Sequence, residues 1–222
     1  MTAAPVRNIC FHGIGRPGRT LEPGEEPYWI SVDAYLRILD AVTPRRDVSL
    51  SFDDGNASDF AVGLPALLER NLVATFFPLA ARLDRPGSLQ TAEVAGLRQH
   101  GMRIGTHGMN HVPWRGLSTE QRTAELVLGR ERLAEASGAP VEHAALPLGR
   151  YDRRLLGQLR RLGYTRVFSS DRAPANPRAW LQPRYSARHD IEPSEFLREV
   201  FEPAPRIHRL RGRAVRLYKR WR

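Results

Sequence analysis

Residues 47–71 read DVSLSFDDGNASDFAVGLPALLERN. The opening residues alternate between apolar and polar, the period of a strand with two different faces. The alternation ends in Asp53-Asp54-Gly55, and an apolar pattern with helical spacing follows over 58–71. Strand, short polar turn and helix make one β/α unit. Further strand-like runs lie at 6–12, 73–79, 102–107, 143–148, 164–170 and 181–187, and helical patterns at 31–42, 91–100, 118–137, 152–162 and 193–202. About seven such units imply a mostly parallel sheet with helices outside. His12, Asp53, Asp54, His107, Pro147 and Gly149 all fall at the C-terminal ends of strand-like runs. In β/α barrels that rim is where chemistry is assembled, so a barrel fits better than a doubly wound sheet. The fold class is thus α/β, a distorted (β/α) barrel of about seven strands over residues 1–205, with a basic amphipathic tail over 206–222.

The helix boundaries carry their own signals. Ser118, with Gln121 three residues on, reads as a capping box. Gly101, Gly138 and Gly163 stand where helices should end in a left-handed residue.

With 222 residues and 41% hydrophobic content, the chain is long and apolar enough for one well-formed core. Its one cysteine, Cys10, excludes an intramolecular disulfide and lies in an apolar run, as a buried structural thiol does. No run approaches the ~18 apolar residues of a membrane span, and the N-terminus has no secretory core, so the expected location is cytoplasmic.

The net charge of +10 is concentrated. Residues 206–222, RIHRLRGRAVRLYKRWR, hold eight of the 34 Lys and Arg and no acid, leaving 26 basic against 24 acidic residues elsewhere. A nearly neutral body argues against a nucleic-acid partner. In the tail, Ile207, Leu210, Ala214, Leu217, Tyr218 and Trp221 recur near helical spacing between cations. That pattern fits peripheral contact with an anionic membrane surface, or a helix packed on the barrel with its charges solvated.

Gly13, Gly15 and Gly18 spell the G-x-G-x-x-G of a dinucleotide site, but Pro17, Pro23 and Pro27 follow where that site needs a helix. The glycines instead let a rim loop leave the first strand, which puts the attention on His12.

Three stretches carry chemistry. Adjacent carboxylates Asp53 and Asp54 repel unless a cation or a shared proton compensates; alone, DDG is also an ordinary turn. His107 and His111 lie four apart in IGTHGMNHVPW, where Gly108 and Pro113 oppose a regular helix. Two imidazoles and one carboxylate make a three-ligand set with open positions, as catalytic zinc sites require. The third stretch, HAALPLGRYDRR at 143–154, is a strand, a turn at Pro147-Leu148-Gly149 and a helix that Asp152 caps.

The order F-D-D-G, H-x-x-x-H, P-x-G-x-Y-D resembles the polysaccharide deacetylases of the NodB-homology type, carbohydrate esterase family four, from about residue 6 to 187. The resemblance implies a distorted (β/α) barrel, a divalent metal (usually zinc) and hydrolysis of N-acetyl groups on sugars. Asp54, His107 and His111 would then be the metal ligands and Asp53 the general base. Such a metal lowers a water's pKa and polarises the acyl carbonyl, while a carboxylate beside it takes the water's proton. A backbone N–H near Leu148, within Pro147-Leu148-Gly149, would help hold the oxyanion.

The chain also departs from the family pattern. Where many members carry an arginine two residues before the Pro-x-Gly proline, it has Ala145, and Leu148 replaces an aromatic residue. Arg184 in QPRYS is the candidate to orient Asp53 instead; a surface arginine is the alternative. The usual C-terminal L-x-H acid is missing. ALPLG and CFHGIG resemble the permuted subgroup that includes poly-N-acetylglucosamine deacetylases, which makes His12 the general acid. His189 is its competitor; His143 begins a strand and so belongs to the far rim. Trp114 is the aromatic residue best placed to stack on a sugar, or else a core residue. The expected substrate is an N-acetylated sugar or glycan intermediate. The rivals are an O-acetyl ester or non-sugar amide on the same fold, and a non-catalytic glycan- or membrane-binding module.

Overall fold

The structure, a computed structural model, describes residues 4–202 together with 214, 215, 217–219 and 221. Its strands are β1 (Arg7–Phe11), β2 (Gly13–Ile14), β3 (Trp29–Ile30), β4 (Val48–Asp54), β5 (Ala74–Pro78), β6 (Arg103–Ile104), β7 (His143–Ala145), β8 (Arg166–Ser169) and β9 (Leu181–Ser186). Seven of them form one parallel sheet in the order β6-β5-β4-β1-β9-β8-β7. Chain neighbours are therefore sheet neighbours, and the first strand closes against the last. At the remaining gap the Thr106 N–H donates to His143 O and the Ala145 N–H to Thr106 O, both at 2.9 Å. These two bonds bring the free edges together and nearly close the barrel.

The alternation in DVSLSFDD now has a physical meaning. Leu50 and Phe52 point outward and are buried with Ile9, Phe11, Leu67 and Phe76; the Phe52 and Phe76 rings stack at 4.5 Å. Burying each such side chain contributes roughly 1.5–3 kcal/mol. The polar alternates fill the barrel interior. Ser51, Asp53, Asn8, Gln182 and Arg184 are all buried, and Asn8 Nδ2 donates to Gln182 Oε1 at 3.1 Å.

The helices are α1 (Val32–Val42), α2 (Leu64–Glu69), α3 (Thr91–Gln99), α4 (Thr119–Thr123), α5 (Gly129–Ser137), α6 (Arg153–Arg161) and α7 (Pro193–Phe201). The main core lies between β1, β4 and β5 and helices α1, α2, α3, α5 and α7. A smaller one joins β7, β8 and α6. The cap signals hold. Ser118 and Gln121 form the capping box, and Gly101, Gly138 and Gly163 are left-handed at 80°, 65° and 76°. Asp152 accepts from the Leu155 N–H at 2.8 Å.

Several elements differ from the sequence pattern. The 58–71 and 118–137 stretches are not uniform α-helices: each includes a widened π-turn, Asp59–Gly63 and Ala124–Leu128. Pro65, just after the first, has no N–H to continue a regular ladder. Each widened turn carries one acid, Asp59 or Glu125, into the interior. The run at 102–107 keeps only two strand residues, because Gly105 threads past the Phe77 ring and Thr106 crosses to β7. The 143–148 run stops at Ala145: Pro147 cannot donate to a ladder, and Leu148 is left-handed at φ 54°. The β2–β3 ladder, two residues each, is too short for periodicity to announce.

Candidate active site

Asp53 and Asp54 end β4. Adjacent strand residues point to opposite faces, so a consecutive pair shares one site only if the backbone turns between them. It does: Asp54 has φ 74° and Gly55 φ 71°. A Cβ on Gly55 would sit 2.8 Å from that of Pro78, so the turn needs glycine for space as well as for conformation.

Asp53 faces the interior. Arg184 Nη1 donates to its Oδ1 at 2.7 Å and Nη2 to its Oδ2 at 2.6 Å, a two-pronged ion pair with both side chains 3% exposed. Arg184 is therefore no surface residue. Its guanidinium also bonds Ser51 Oγ and lies 5.4 Å and 5.7 Å from the Phe77 and Phe168 ring centroids. Those rings cluster with Ala145. Burial pushes the Asp53 carboxyl up, but the Arg184 guanidinium, helped by His107 and His12, overrides it and holds Asp53 well below the usual carboxylate range.

Asp54 is also buried, 1% exposed, and neither carboxylate oxygen has a hydrogen-bond partner among the described residues. His107 Nε2 stands 3.7 Å and His111 Nε2 3.6 Å from Asp54 Oδ1. Both imidazoles are turned the same way. His107 Nδ1 donates to Ala145 O at 2.9 Å and His111 Nδ1 to Glu22 Oε2 at 2.6 Å, which leaves both Nε2 atoms facing Asp54. Burial lowers the His107 pKa to about 4 despite the nearby Asp53 and Asp54 carboxylates, so this ring is neutral at pH 7. The three ligand atoms lie within 4.8 Å of one another. Separations of 3.6–3.7 Å are too long for hydrogen bonds but close to the edge of a tetrahedron with bonds of about 2.0–2.1 Å. Partnerless buried oxygens, oriented ring nitrogens and this spacing fit a divalent cation.

The loop that carries His107 and His111 is pinned from below. Glu125 is buried and accepts from the Met109 N–H (2.8 Å), the Asn110 N–H (3.1 Å) and Asn110 Nδ2 (3.0 Å). Gly108 has φ 93° and backs onto Glu125 and the Trp114 indole. Gly129 is also required, since a Cβ there would meet the Gly108–Met109 backbone at 3.0 Å. The sequence carried a signal for Glu125: it lies on the stripe of Gly129, Leu133 and Ala136 that the helix buries. None existed for Glu22, an acid in a Pro- and Gly-rich loop.

A cleft of about 530 Å³ opens over these groups. His12, Asp53, Asp54, His107, His111 and Arg184 all line it, with Leu148 and Gly149 on its rim. His12 packs against Tyr28 at 4.8 Å between ring centroids and has a ring nitrogen within 4.8 Å of an Asp53 oxygen. His189 lines a neighbouring pocket, and His143 packs on Phe168 at the start of β7. Two expected substrate contacts are elsewhere. Pro147 is buried beneath the turn. Trp114, 1% exposed, packs in the smaller core with Leu126 and Tyr151 under the His107–His111 loop, so its ring supports the loop and presents no face to a sugar. Cys10 is fully buried, and burial pushes its thiol pKa up.

Part of the tail, residues 206–213, 216, 220 and 222, falls outside the described residues. Residues 214, 215, 217–219 and 221 are helical. Lys219 Nζ pairs with Asp171 Oδ1 at 2.8 Å on the Gly149 side of the rim, while Val215, Leu217, Tyr218 and Trp221 are exposed. No helix among the described residues is long and apolar enough to cross a membrane.

A nearly closed parallel barrel with carboxylates, imidazoles and a buried arginine at the C-terminal rim defines a (β/α) barrel of the NodB type. The chain belongs to the polysaccharide deacetylase family, whose profile matches residues 40–167. It is similar to the protein named "Putative polysaccharide deacetylase YxkH" of Bacillus subtilis (strain 168), at 24% identity over 117 residues. That match takes in 53% of this chain and 42% of the relative, so the chain spans under half of that relative's length. Solved structures that share the fold include the following two. The deacetylase PplD of Streptococcus pyogenes, in complex with acetate, superposes with a TM-score of 0.75 at 18% identity, covering 90% of this chain and 99% of that one. IcaB from Ammonifex degensii gives 0.71 at 19%, covering 89% and 98%.

Proposed function

We propose that this chain is a metal-dependent hydrolase that removes N-acetyl groups from an acetylated sugar or glycan. The observation that carries the reading is the contrast between the two consecutive aspartates. Asp53 is neutralised by Arg184, while the buried Asp54 carboxylate has no hydrogen-bond partner among the described residues and faces two imidazole nitrogens. Asp54, His107 and His111 would hold the cation, with zinc the expected metal. A divalent ion there supplies Lewis acidity, lowering the pKa of a water and polarising the acyl carbonyl.

The other steps belong to the chain's own groups. Asp53, kept ionised by Arg184, accepts the proton of the attacking water; the arginine occupies one site on each oxygen and leaves others for that water. Arg184 fixes the carboxylate's plane. The Leu148 N–H, in the turn at the cleft's rim, is the donor for the developing oxyanion; the Gly149 N–H is already given to Leu146 O at 3.1 Å. His12, across the cleft near Asp53, delivers the proton to the departing amine. The acetate held by PplD is consistent with acetate as the product.

Metal content by mass spectrometry and acetate release from N-acetylglucosamine oligosaccharides test the reading. Asp53→Asn should keep its metal and lose about 10²–10⁴-fold in turnover. Acetate release at the wild-type rate by Asp53→Asn would remove Asp53 as the base. Absence of metal from both proteins would favour a glycan-binding module.

We also propose that the basic tail rests on an anionic membrane surface, which suits a lipid-linked acetylated sugar. The exposed Val215, Leu217, Tyr218 and Trp221, among tail cations worth about 1 kcal/mol each near such a surface, support this. Anionic liposomes should sediment the full chain and not a chain lacking residues 206–222; equal sedimentation of the two ends the idea.

A further inference from the structure

The two imidazoles facing Asp54 are anchored differently. His107 bonds a strand carbonyl, Ala145 O, which the barrel seam holds in place. His111 bonds a side chain, Glu22, from a segment 89 residues away in sequence. Glu22 belongs to the loop over residues 15–28 between β2 and β3, the loop that starts at HGIGRPG. Its other oxygen accepts from Arg82 Nη2. The loop is tied down beside it: the Glu22 N–H donates to Glu25 Oε2 at 2.8 Å, and Glu25 is paired with Arg19. Arg19 Nη2 also donates to Asn56 Oδ1 at 2.8 Å, two residues after Asp54. His111 needs such an anchor, because its own backbone is left-handed at φ 56° and its ring stands at the cleft's open side.

We propose that Glu22 is a positioning residue of the metal site, completing it from the rim loop by fixing the tautomer and ring plane of His111, with Arg82 fixing Glu22 in turn. The inference rests on the metal-dependent reading above. Carboxylate partners of ligating imidazoles orient the ring and raise its basicity, and losing one typically costs 10–100-fold in metal affinity. Glu22 touches neither the cation position nor the reacting atoms.

Zinc affinity of the full chain, measured by competition with a chromophoric chelator, tests the proposal. Glu22→Ala is expected to weaken zinc binding by about 10–100-fold. Glu22→Gln, which keeps an acceptor for Nδ1–H, should lie between it and wild type. Glu26→Ala, an exposed acid of the same loop, should bind zinc as wild type does. Long-range ¹H–¹⁵N spectra of the metal-free protein should show His111 as the Nδ1–H tautomer in wild type and as a mixture in Glu22→Ala. These readouts precede turnover, and since Glu22 is half-exposed its replacement leaves the core intact. Wild-type affinity together with an unchanged tautomer in Glu22→Ala overturns the proposal and leaves the metal-dependent reading standing. Failure of wild type itself to bind zinc or another divalent ion overturns both.

Discussion

Arg184→Met is expected to abolish detectable acetate release and to destabilise the fold by about 3–5 kcal/mol. Methionine fills much of the arginine's volume between Phe77 and Phe168 but leaves Asp53 buried with its two closest donors gone. A buried charge stripped of its partner costs far more than the intact pair contributes. Catalysis suffers for the same reason. Burial, the largest influence on Asp53, is then no longer offset by the guanidinium, so the carboxyl rises above its ordinary pKa of about 3.9; whatever fraction is protonated cannot take the water's proton, and the plane of the carboxylate is no longer fixed.

The sign of the pH dependence follows. In wild type the folded-state value is depressed, so the pair's stabilisation is complete above the unfolded value of about 3.9 and is lost as pH falls below it. In the variant the folded-state value is raised, so the penalty is relieved as pH falls from neutrality through that value. The stability gap between the two proteins, from urea unfolding at a series of pH values, should therefore narrow toward pH 4. Arg184→Lys keeps the charge but not the planar fork and should recover stability better than turnover. A gap that does not change with pH would mean that Arg184 acts through packing alone.

What could be read in advance follows the range of the forces involved. The alternation through Leu50, Ser51, Phe52 and Asp53 reports a strand with one apolar and one polar face, and that is local information. The same holds for the capping box at Ser118 and the left-handed glycines that end α3, α5 and α6. The β6–β7 seam was not legible, because two hydrogen bonds from Thr106 decide it and no periodicity marks them. Arg184 could be nominated but not located, since its burial depends on an ion pair across 131 residues. Trp114 shows the opposite limit: proximity to His111 in sequence suggested the cleft, whereas the positive φ values of Gly108 and His111 fold the intervening loop over the indole. Glu22 was beyond reach, since an exposed loop acid looks the same whether or not an imidazole meets it.

Asp54→Asn is expected to separate stability from function most clearly. Zinc affinity should fall by more than 100-fold and acetate release with it, yet the metal-free variant should be more stable than metal-free wild type by about 1–3 kcal/mol. The reason lies in what surrounds the side chain. Its oxygens are buried and partnerless among the described residues, His107 is neutral at pH 7, and Asp53 adds a like charge one residue away. The amide removes the charge and keeps the shape. Asparagine also tolerates the φ of 74° better than most residues, so the turn survives. In wild type the proposed cation should offset this local instability: at a free concentration of 100 times its Kd, binding would add about 2.7 kcal/mol. Thermal unfolding with chelator and then with zinc reads both halves. In a chain of this size each kcal/mol moves Tm by roughly 2–4 °C. Wild type should start lower and rise on zinc addition, while Asp54→Asn should start higher and stay there. A variant that starts lower and still responds to zinc would mean that Asp54 serves the fold and not the metal, and that the orientation of His107 and His111 toward it has another cause.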